Sequence, residues 1–197
     1  YSELIENGMA TDDDIRRFAK EIHKNSSRLL TLINDIIRLS ELDATDVSRA
    51  FEPINLYTIA ETCVNMLQIN AEKHKVTLTF EGTPAEVMST KEMMEELVYN
   101  LCDNAIRYNN ENGTVHVSLI KEAQAVVLSV KDTGIGIPKN HQERIFERFY
   151  RVDKSRSKST GGTGLGLAIV KHIVVQSNAK IELNSEKGTG TEIRIIF

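Results

Sequence analysis

Glu96, Asn100, Asn104 and Tyr108 recur at every fourth position, so they line one flank of any helix that carries them. Asparagine is a mediocre helix former, and two in register at mid-helix need a reason. A functional reason is an amide oxygen offered to Mg²⁺, which takes hard oxygen donors supplemented by water and phosphate. The plainer reading is an exposed polar face, and this stretch alone does not separate the two. Further along, Asp132 ends an apolar run and leads into Thr133-Gly134-Ile135-Gly136-Ile137-Pro138. A carboxylate at a strand end can accept a hydrogen bond from the exocyclic amine of adenine, a charge-assisted bond of roughly 1.5–3 kcal/mol. Guanine would present a carbonyl there and leave the carboxylate without a partner. Gly134 and Gly136, lacking Cβ atoms, permit a sharp turn and a close ligand approach; a simple turn is the plainer alternative. The third segment, Gly161-Gly162-Thr163-Gly164-Leu165-Gly166-Leu167, runs straight into a helical pattern. Its backbone N–H groups and the helix N-terminus would cradle phosphate. It is neither a Walker loop, since no Gly-Lys-Ser/Thr follows, nor the strand–glycine–helix unit of a dinucleotide fold, and a flexible linker is its plain alternative. In this order the three segments read as an ATP site built without a P-loop.

Between the glycine segments lie Phe146, Arg148, Phe149, Tyr150, Arg151, Lys154, Arg156 and Lys158. The net charge is only −4, so basic residues concentrated here have a local purpose. As a lid, the segment would bring Arg151 and Arg156 to a polyphosphate, with Phe146 and Phe149 anchoring its base on the core. A solvated charged loop is the alternative. The weak overall acidity also argues against a nucleic-acid partner, which calls for a basic face.

These segments need elements to hold them. With 197 residues and 41% apolar content, the chain suits one good core plus an appendage. No apolar run is long enough to span a bilayer. The chain starts at Tyr1 and is expected to be a piece of a longer protein. Cys63 and Cys102 fall on apolar helical positions and are expected to be buried, reduced thiols.

Residues 11–42 repeat with period seven: Ile15, Ile22, Leu29 and Ile36 on one position, Phe18, Asn25, Leu32 and Leu39 on another. This spacing predicts a long amphipathic helix with a coiled-coil-like seam, N-capped by Thr11. The stretch Tyr1–Glu6, stopped at Asn7-Gly8, predicts the end of a preceding helix, so residues 1–43 form a partial helical hairpin whose exposed seam calls for a second copy. Residues 44–53 read as a linker. From 54 to 197 the pattern becomes α/β: a helix over 55–74; a strand at Val76–Phe80; a helix opened by a Ser89/Glu92 capping box and running to Tyr108; and antiparallel strands at 115–120 and 125–131. A short helix over 143–150, a helix over 165–176 and a closing hairpin at 181–185 and 191–197 complete the expectation. The fold class is α+β: a two-layer α/β sandwich with a mostly antiparallel sheet and helices on one face, preceded by the hairpin segment.

Taken together, Asn100-xxx-Asn104-Ala-xx-Tyr108, Asp132-x-Gly134-x-Gly136, Ile145-Phe146-xx-Phe149-Tyr150-Arg151 and Gly162-Thr-Gly164-Leu-Gly166-Leu resemble the ATP-binding domain of sensor histidine kinases, within the superfamily shared with type II topoisomerases, heat-shock chaperone ATPases and mismatch-repair ATPases. The hairpin is similar to the second arm of the dimerisation domain in the same kinases, so the resemblance covers nearly the whole chain. It implies that Asn104 ligates Mg²⁺, that Asn100 and Tyr108 line the nucleotide pocket, and that Arg107 meets phosphate. It implies that Asp132 reads adenine, and that Arg151 and Arg156 approach the γ-phosphate from the lid. Gly134, Gly136, Ile137, Tyr150, Gly162, Thr163, Gly164, Leu165, Gly166 and Leu167 complete the nucleotide-binding set. The ATPase relatives carry a water-activating glutamate at the Asn100 position; asparagine suits a kinase, which must avoid hydrolysing its ATP.

The chain departs from the family pattern in one respect. The family's phospho-acceptor lies in a His-Glu/Asp-x-x-Thr/Asn-Pro motif, and none of His23, His74, His116, His141 and His172 sits in one. The acceptor is expected shortly before Tyr1. The resemblance implies ATP and Mg²⁺ as ligands, a homodimer through the hairpin, and a response-regulator receiver domain as phosphoryl acceptor. It places this piece as the cytoplasmic portion of a sensor anchored in a membrane only by upstream segments. The alternatives are a nucleotide-gated dimerisation or adaptor module, and a gyrase-like ATPase, which Asn100 and the hairpin disfavour.

Overall fold

The computed structural model describes residues 1–43, 51–122, 125–152 and 162–197. Helix α1 (Ser2–Glu6) ends at Asn7, and Gly8 takes the left-handed turn that Asn7-Gly8 predicts. The chain reverses into α2 (Asp12–Asp43). Thr11 opens α2 reciprocally: its hydroxyl accepts from the Asp14 amide at 3.3 Å, and its own amide donates to the Asp14 carboxylate at 3.3 Å. Tyr1 stacks on Phe18 at 4.7 Å, which closes the short hairpin. Residues 44–50, most of the expected linker, lie outside the described residues.

The expected linker ends earlier than the sequence suggests. Strand β1 (Glu52–Asn55) already pairs with β3 (Glu86–Ser89), setting Ile54 opposite Val87, both buried. Pro53 is tolerated because this is a two-stranded edge ribbon. Asn55 then caps α3 (Leu56–Lys73), its side chain accepting from the amides of Tyr57 and Thr58. Strand β2 (Thr77–Gly82) follows. The short β3 also corrects the capping-box expectation. Ser89 is strand, fully buried, with its hydroxyl 3.4 Å from that of Ser177. Thr90 is the residue that caps α4 (Lys91–Arg107), its hydroxyl accepting from the Met93 amide at 3.3 Å. Because Val87 and Ser89 both face inward, the strand runs one residue further and the cap moves on by one.

Strands β4 (Thr114–Lys121), β5 (Val126–Asp132), β6 (Lys180–Glu186) and β7 (Gly190–Ile196) join β2 in a five-stranded sheet of order β2-β4-β5-β7-β6. All neighbours are antiparallel except β2 and β4, which run parallel. A parallel pair needs a long crossover, and the segment carrying α4 supplies it. Helices α3, α4 and α5 (Gly166–Gln176) lie together on the sheet. In α4, Met94, Leu97, Val98, Leu101 and Ala105 form the buried stripe that their spacing predicts, facing Val115, Val117 and Leu119 of β4 and Leu128 and Val130 of β5 within one core. Burying that stripe fixes the rotation of α4, so the flank bearing Asn100, Asn104 and Tyr108 is aimed by the core and not by the site.

The expected helix over 143–150 does not form. A single 3₁₀ turn (Lys139–His141) leads into successive tight turns. Phe149 adopts φ +63°, a left-handed conformation that ends any helix. Phe149 is also 57% exposed, so it does not anchor the segment; Ile145, 8% exposed, is the buried residue there.

Candidate functional site

The three chemistry-bearing segments converge on the C-terminal half of α4. A Cβ placed on Gly166 would lie 2.6 Å from Asn100 Oδ1 and 3.5 Å from Asn104 Nδ2, so only glycine lets the start of α5 press against the asparagine flank. At the other end, the Ile135 amide donates to the Tyr108 carbonyl at 3.1 Å, tying the Asp132–Gly136 turn to the end of α4. The Tyr108 hydroxyl lies beside Gly162, 3.4 Å from where a Cβ there would stand. Asn100, Asn104, Arg107, Gly162, Thr163, Gly164 and Gly166 are all half-buried, the state expected of a cleft lining.

Asp132 stands at the end of β5 with one carboxylate oxygen fully engaged. Oδ1 accepts from the Gly134 amide at 2.8 Å and the Thr191 amide at 3.2 Å. Burial pushes its pKa above the usual carboxylate range, and the two amide donors oppose that rise. The bonds on Oδ1 orient the group and direct Oδ2 elsewhere. The turn that follows is fixed by Gly136, at φ +63°, where a Cβ would stand 1.9 Å from the Glu186 carbonyl oxygen. The Ile137 amide donates to Ser185 Oγ at 2.8 Å, and the Gln142 side-chain amide donates to the carbonyls of Ile137 and Ser185 at 2.9 and 2.8 Å. Thr191, Ser185 and Gln142 were not among the residues expected from sequence. The strand register brings Thr191 opposite Asp132 and Ser185 opposite Thr191, so correct pairing of the last hairpin is the signal that finds two of them. Nothing in the sequence marks Gln142.

The glycine segment is closed by the residues before it. The Phe149 amide donates to the Gly164 carbonyl at 2.9 Å, and the Arg151 guanidinium donates to the Gly162 carbonyl. The Tyr150 hydroxyl shares a hydrogen bond with His141 Nδ1, and the Arg144 guanidinium lies 4.3 Å over its ring. Leu165 is fully buried, Leu167 packs against the core, and the Leu165 amide donates to Thr163 Oγ1 at 3.3 Å at the start of α5. Arg156 and Gly161 lie outside the described residues.

Arg107 makes an ion pair with Asp103 at 2.5 Å, and Asp103 also accepts from the Asn70 amide at 3.2 Å. Asn100 donates from its side chain to the Glu96 carbonyl at 2.9 Å, which leaves its oxygen facing Gly166. Burial raises Glu96 above the usual carboxylate range, with Arg38 of α2 opposing the rise. Among the described residues no group of three or more His, Cys, Asp or Glu side chains could hold a metal by itself. The donor set instead suits an octahedral cation that takes one protein oxygen and completes its shell from phosphate and water. The asparagine oxygens of α4 fit that requirement.

Residues 89–197 match the family described as histidine kinase-, DNA gyrase B- and HSP90-like ATPase. The chain is 38% identical over 194 residues to the sensor-like histidine kinase SenX3 of Mycolicibacterium smegmatis, covering 96% of this chain and 50% of that protein. It is 34% identical over 182 residues to the phosphate regulon sensor protein PhoR of Pseudomonas aeruginosa, covering 92% of this chain and 41% of the other. The chain thus spans about half the length of these curated relatives or less. Among solved structures, the Acinetobacter baumannii histidine kinase AdeS superimposes with a TM-score of 0.78 over 99% of this chain and 89% of that one, at 22% identity, a likeness of fold.

Proposed function

This chain belongs to the histidine kinase-, DNA gyrase B- and HSP90-like ATPase family, and from that membership we propose that it is the ATP-binding core of a two-component sensor histidine kinase. The observation that carries the reading is the meeting of the α4 asparagine flank, the Asp132 turn and the glycine segment at one cleft. Asp132 Oδ2 accepts from the adenine amine, held in place by the two amides on Oδ1. The N–H groups of Gly162–Gly166 and the start of α5 receive the phosphates. Arg107 exchanges Asp103 for phosphate, and Arg151, which donates to the Gly162 carbonyl, supplies a second cation beside the glycine segment. Tyr108 lines the pocket; Gly134, Gly136 and Ile137 shape its adenine end.

Asn104 offers the oxygen for Mg²⁺, which when bound neutralises phosphate charge. Asn100 contributes an amide where a carboxylate would activate water, so the cleft holds the triphosphate without a base to hydrolyse it. The acceptor histidine lies on the first hairpin arm upstream of Tyr1, and the segment between α2 and β1 joins hairpin to catalytic unit. Phosphoryl transfer then depends on positioning an imidazole in line with the γ-phosphate, and the phosphoryl group passes to an aspartate of a response regulator.

The hairpin supports pairing with a second copy. Ile15, Leu29, Leu30, Ile33, Ile36 and Ile37 of α2 are all exposed, a stripe of apolar surface too long for a solvated helix. Among the described residues no helix is long and apolar enough to cross a membrane.

Two measurements test this function. The chain should bind a fluorescent adenine nucleotide saturably and discriminate against the guanine analogue. A version extended to include the first hairpin arm should label itself from γ-labelled ATP, with acid-labile, base-stable phosphate as expected of phosphohistidine. Absence of saturable adenine binding removes the nucleotide site; binding without labelling of the extended form removes the kinase reading alone.

A further inference from the structure

Helix α2 reaches into the nucleotide cleft. Leu32, Asp35 and Leu39 lie three and four residues apart on one face. Leu39 is buried in the core of the catalytic unit and Leu32 packs against it. Between them Asp35, half-buried, accepts a hydrogen bond from Thr163 Oγ1 at 2.5 Å across 128 residues of chain. Thr163 Oγ1 in turn accepts from the Leu165 amide at the start of α5. The Asp35 carboxylate is therefore linked through one hydroxyl to the positive end of the helix that opens the phosphate cradle. Arg107 and Asp103 also face it, and burial raises its pKa above the usual range, against the pull of Thr163 and Arg107.

We propose that Asp35 and the phosphates of a bound nucleotide compete for the Thr163 end of the glycine segment, so that docking of the hairpin helix and binding of a triphosphate oppose one another. The proposal rests on the nucleotide site assigned above. A triphosphate received by the amides of Gly162–Gly166 brings negative charge next to a negative carboxylate. It also draws on the hydroxyl and the guanidinium, Thr163 and Arg107, that Asp35 faces. Either effect raises the free energy of the docked state relative to the undocked one. By linkage, the docked helix weakens triphosphate binding by the same factor. The consequence is directional: a nucleotide loosens α2 from the catalytic unit, which frees that unit to move relative to the hairpin. Adenosine, which carries no phosphate, does not engage the competition.

The test uses the chain with two probes, a non-hydrolysable ATP analogue with Mg²⁺ and adenosine, titrated by calorimetry into the parent, Asp35→Asn, Asp35→Ala, Thr163→Val and the Asp35→Ala/Thr163→Val pair. Asn keeps an oxygen for Thr163 and removes only the charge; Ala removes both. Both Asp35 variants are expected to bind the triphosphate on the order of threefold to tenfold more tightly than the parent, with adenosine affinity unchanged. In the Thr163→Val background the Asp35→Ala effect shrinks, as expected of two residues that share one hydrogen bond, and the split between triphosphate and adenosine separates competition for phosphate from a merely structural role. Equal triphosphate affinity in parent and both Asp35 variants overturns the competition. So does equal tightening of adenosine and triphosphate, which would mark relief of a steric block on the whole pocket. If no version binds either probe, the nucleotide site itself is wrong and the competition falls with it.

Discussion

Replacing Asp132 by Asn separates what this residue does for the ligand from what it does for the fold. Its Oδ1 accepts from two backbone amides, Gly134 at 2.8 Å and Thr191 at 3.2 Å. Asparagine keeps one acceptor oxygen, and the only orientation that avoids setting an amino group against those two N–H donors puts Oδ1 back where it was. The new amino group then stands in place of Oδ2 and faces the adenine amine, donor against donor. The loss is a charge-assisted hydrogen bond of about 1.5–3 kcal/mol, which corresponds to adenine nucleotide binding weakened by about tenfold to 150-fold. A guanine nucleotide, which presents a carbonyl at that position, gains relative to adenine.

The effect on stability has the opposite sign. Burial raises the Asp132 pKa in the folded protein above its unfolded value. A raised carboxylate favours folding below its unfolded pKa, and that contribution is lost as pH rises through the folded value. Once ionised, the half-buried Asp132 is a cost to the fold, and Asn removes it. The thermal midpoint of the ligand-free variant at pH 7 is expected to equal or exceed that of the parent, with the advantage shrinking as pH falls toward 4. Thermal-shift measurements across pH 4–8, with and without adenine nucleotide, read both effects together. If the nucleotide raises the midpoint of the variant as much as that of the parent, Asp132 does not read adenine. If the ligand-free variant is strongly destabilised at pH 7, the residue serves the two amides and the charge argument is wrong.

Asn104→Ala should lower nucleotide affinity on the order of tenfold in the presence of Mg²⁺ and leave the Mg²⁺-free affinity nearly unchanged; an unaltered ratio of the two, by calorimetry, removes its metal role. Gly136→Ala forces a side chain into a left-handed backbone, worth about 1–2 kcal/mol, and drives its Cβ into the Glu186 carbonyl 1.9 Å away. Chemical denaturation should show a loss above that figure together with weakened nucleotide binding, and a loss below about 1 kcal/mol would show that the turn relaxes freely. Burial raises Cys63 from its ordinary 9.0 to about 11 and pushes Cys102 up as well. Raised thiol pKa values stabilise the fold below the unfolded value and cease to do so as pH rises through the folded one, so stability should fall between pH 9 and about 11. Urea denaturation of the parent against a Cys63→Ala/Cys102→Ala variant should show a flatter decline in the variant over that window, and parallel declines would refute it.

The sequence was most legible where one force sets the structure. The α4 stripe of Met94, Leu97, Val98, Leu101 and Ala105 is a burial pattern, and burial fixed both the helix and the direction of its asparagine flank. The closing hairpin, expected at 181–185 and 191–197, forms at Lys180–Glu186 and Gly190–Ile196. Reading failed where a short element depends on a distant partner. Strand β3 has four residues and exists through pairing with β1, so Ser89 looked like a cap when it is a buried strand residue. Phe149 looked like an anchor because it is apolar, yet its backbone is recruited by the Gly164 carbonyl and its ring is left outside. Local propensity records neither contact.

The cleft's polar groups show why donors can be named from sequence while their working state cannot. Arg107 is engaged by Asp103, the Arg151 guanidinium by the Gly162 carbonyl, Thr163 by Asp35, and one oxygen of Asp132 by Gly134 and Thr191. Half-buried polar groups need partners in any state. Binding of a phosphate at such a cleft is an exchange of one partner for another, and its net free energy is a small difference between two large interactions. Affinity is therefore tuned as much by the internal partners as by the groups that touch the ligand. Asp35 and Asp103 carry no signature that separates them from ordinary surface carboxylates on a helix, because their importance comes from what each withholds from the cleft.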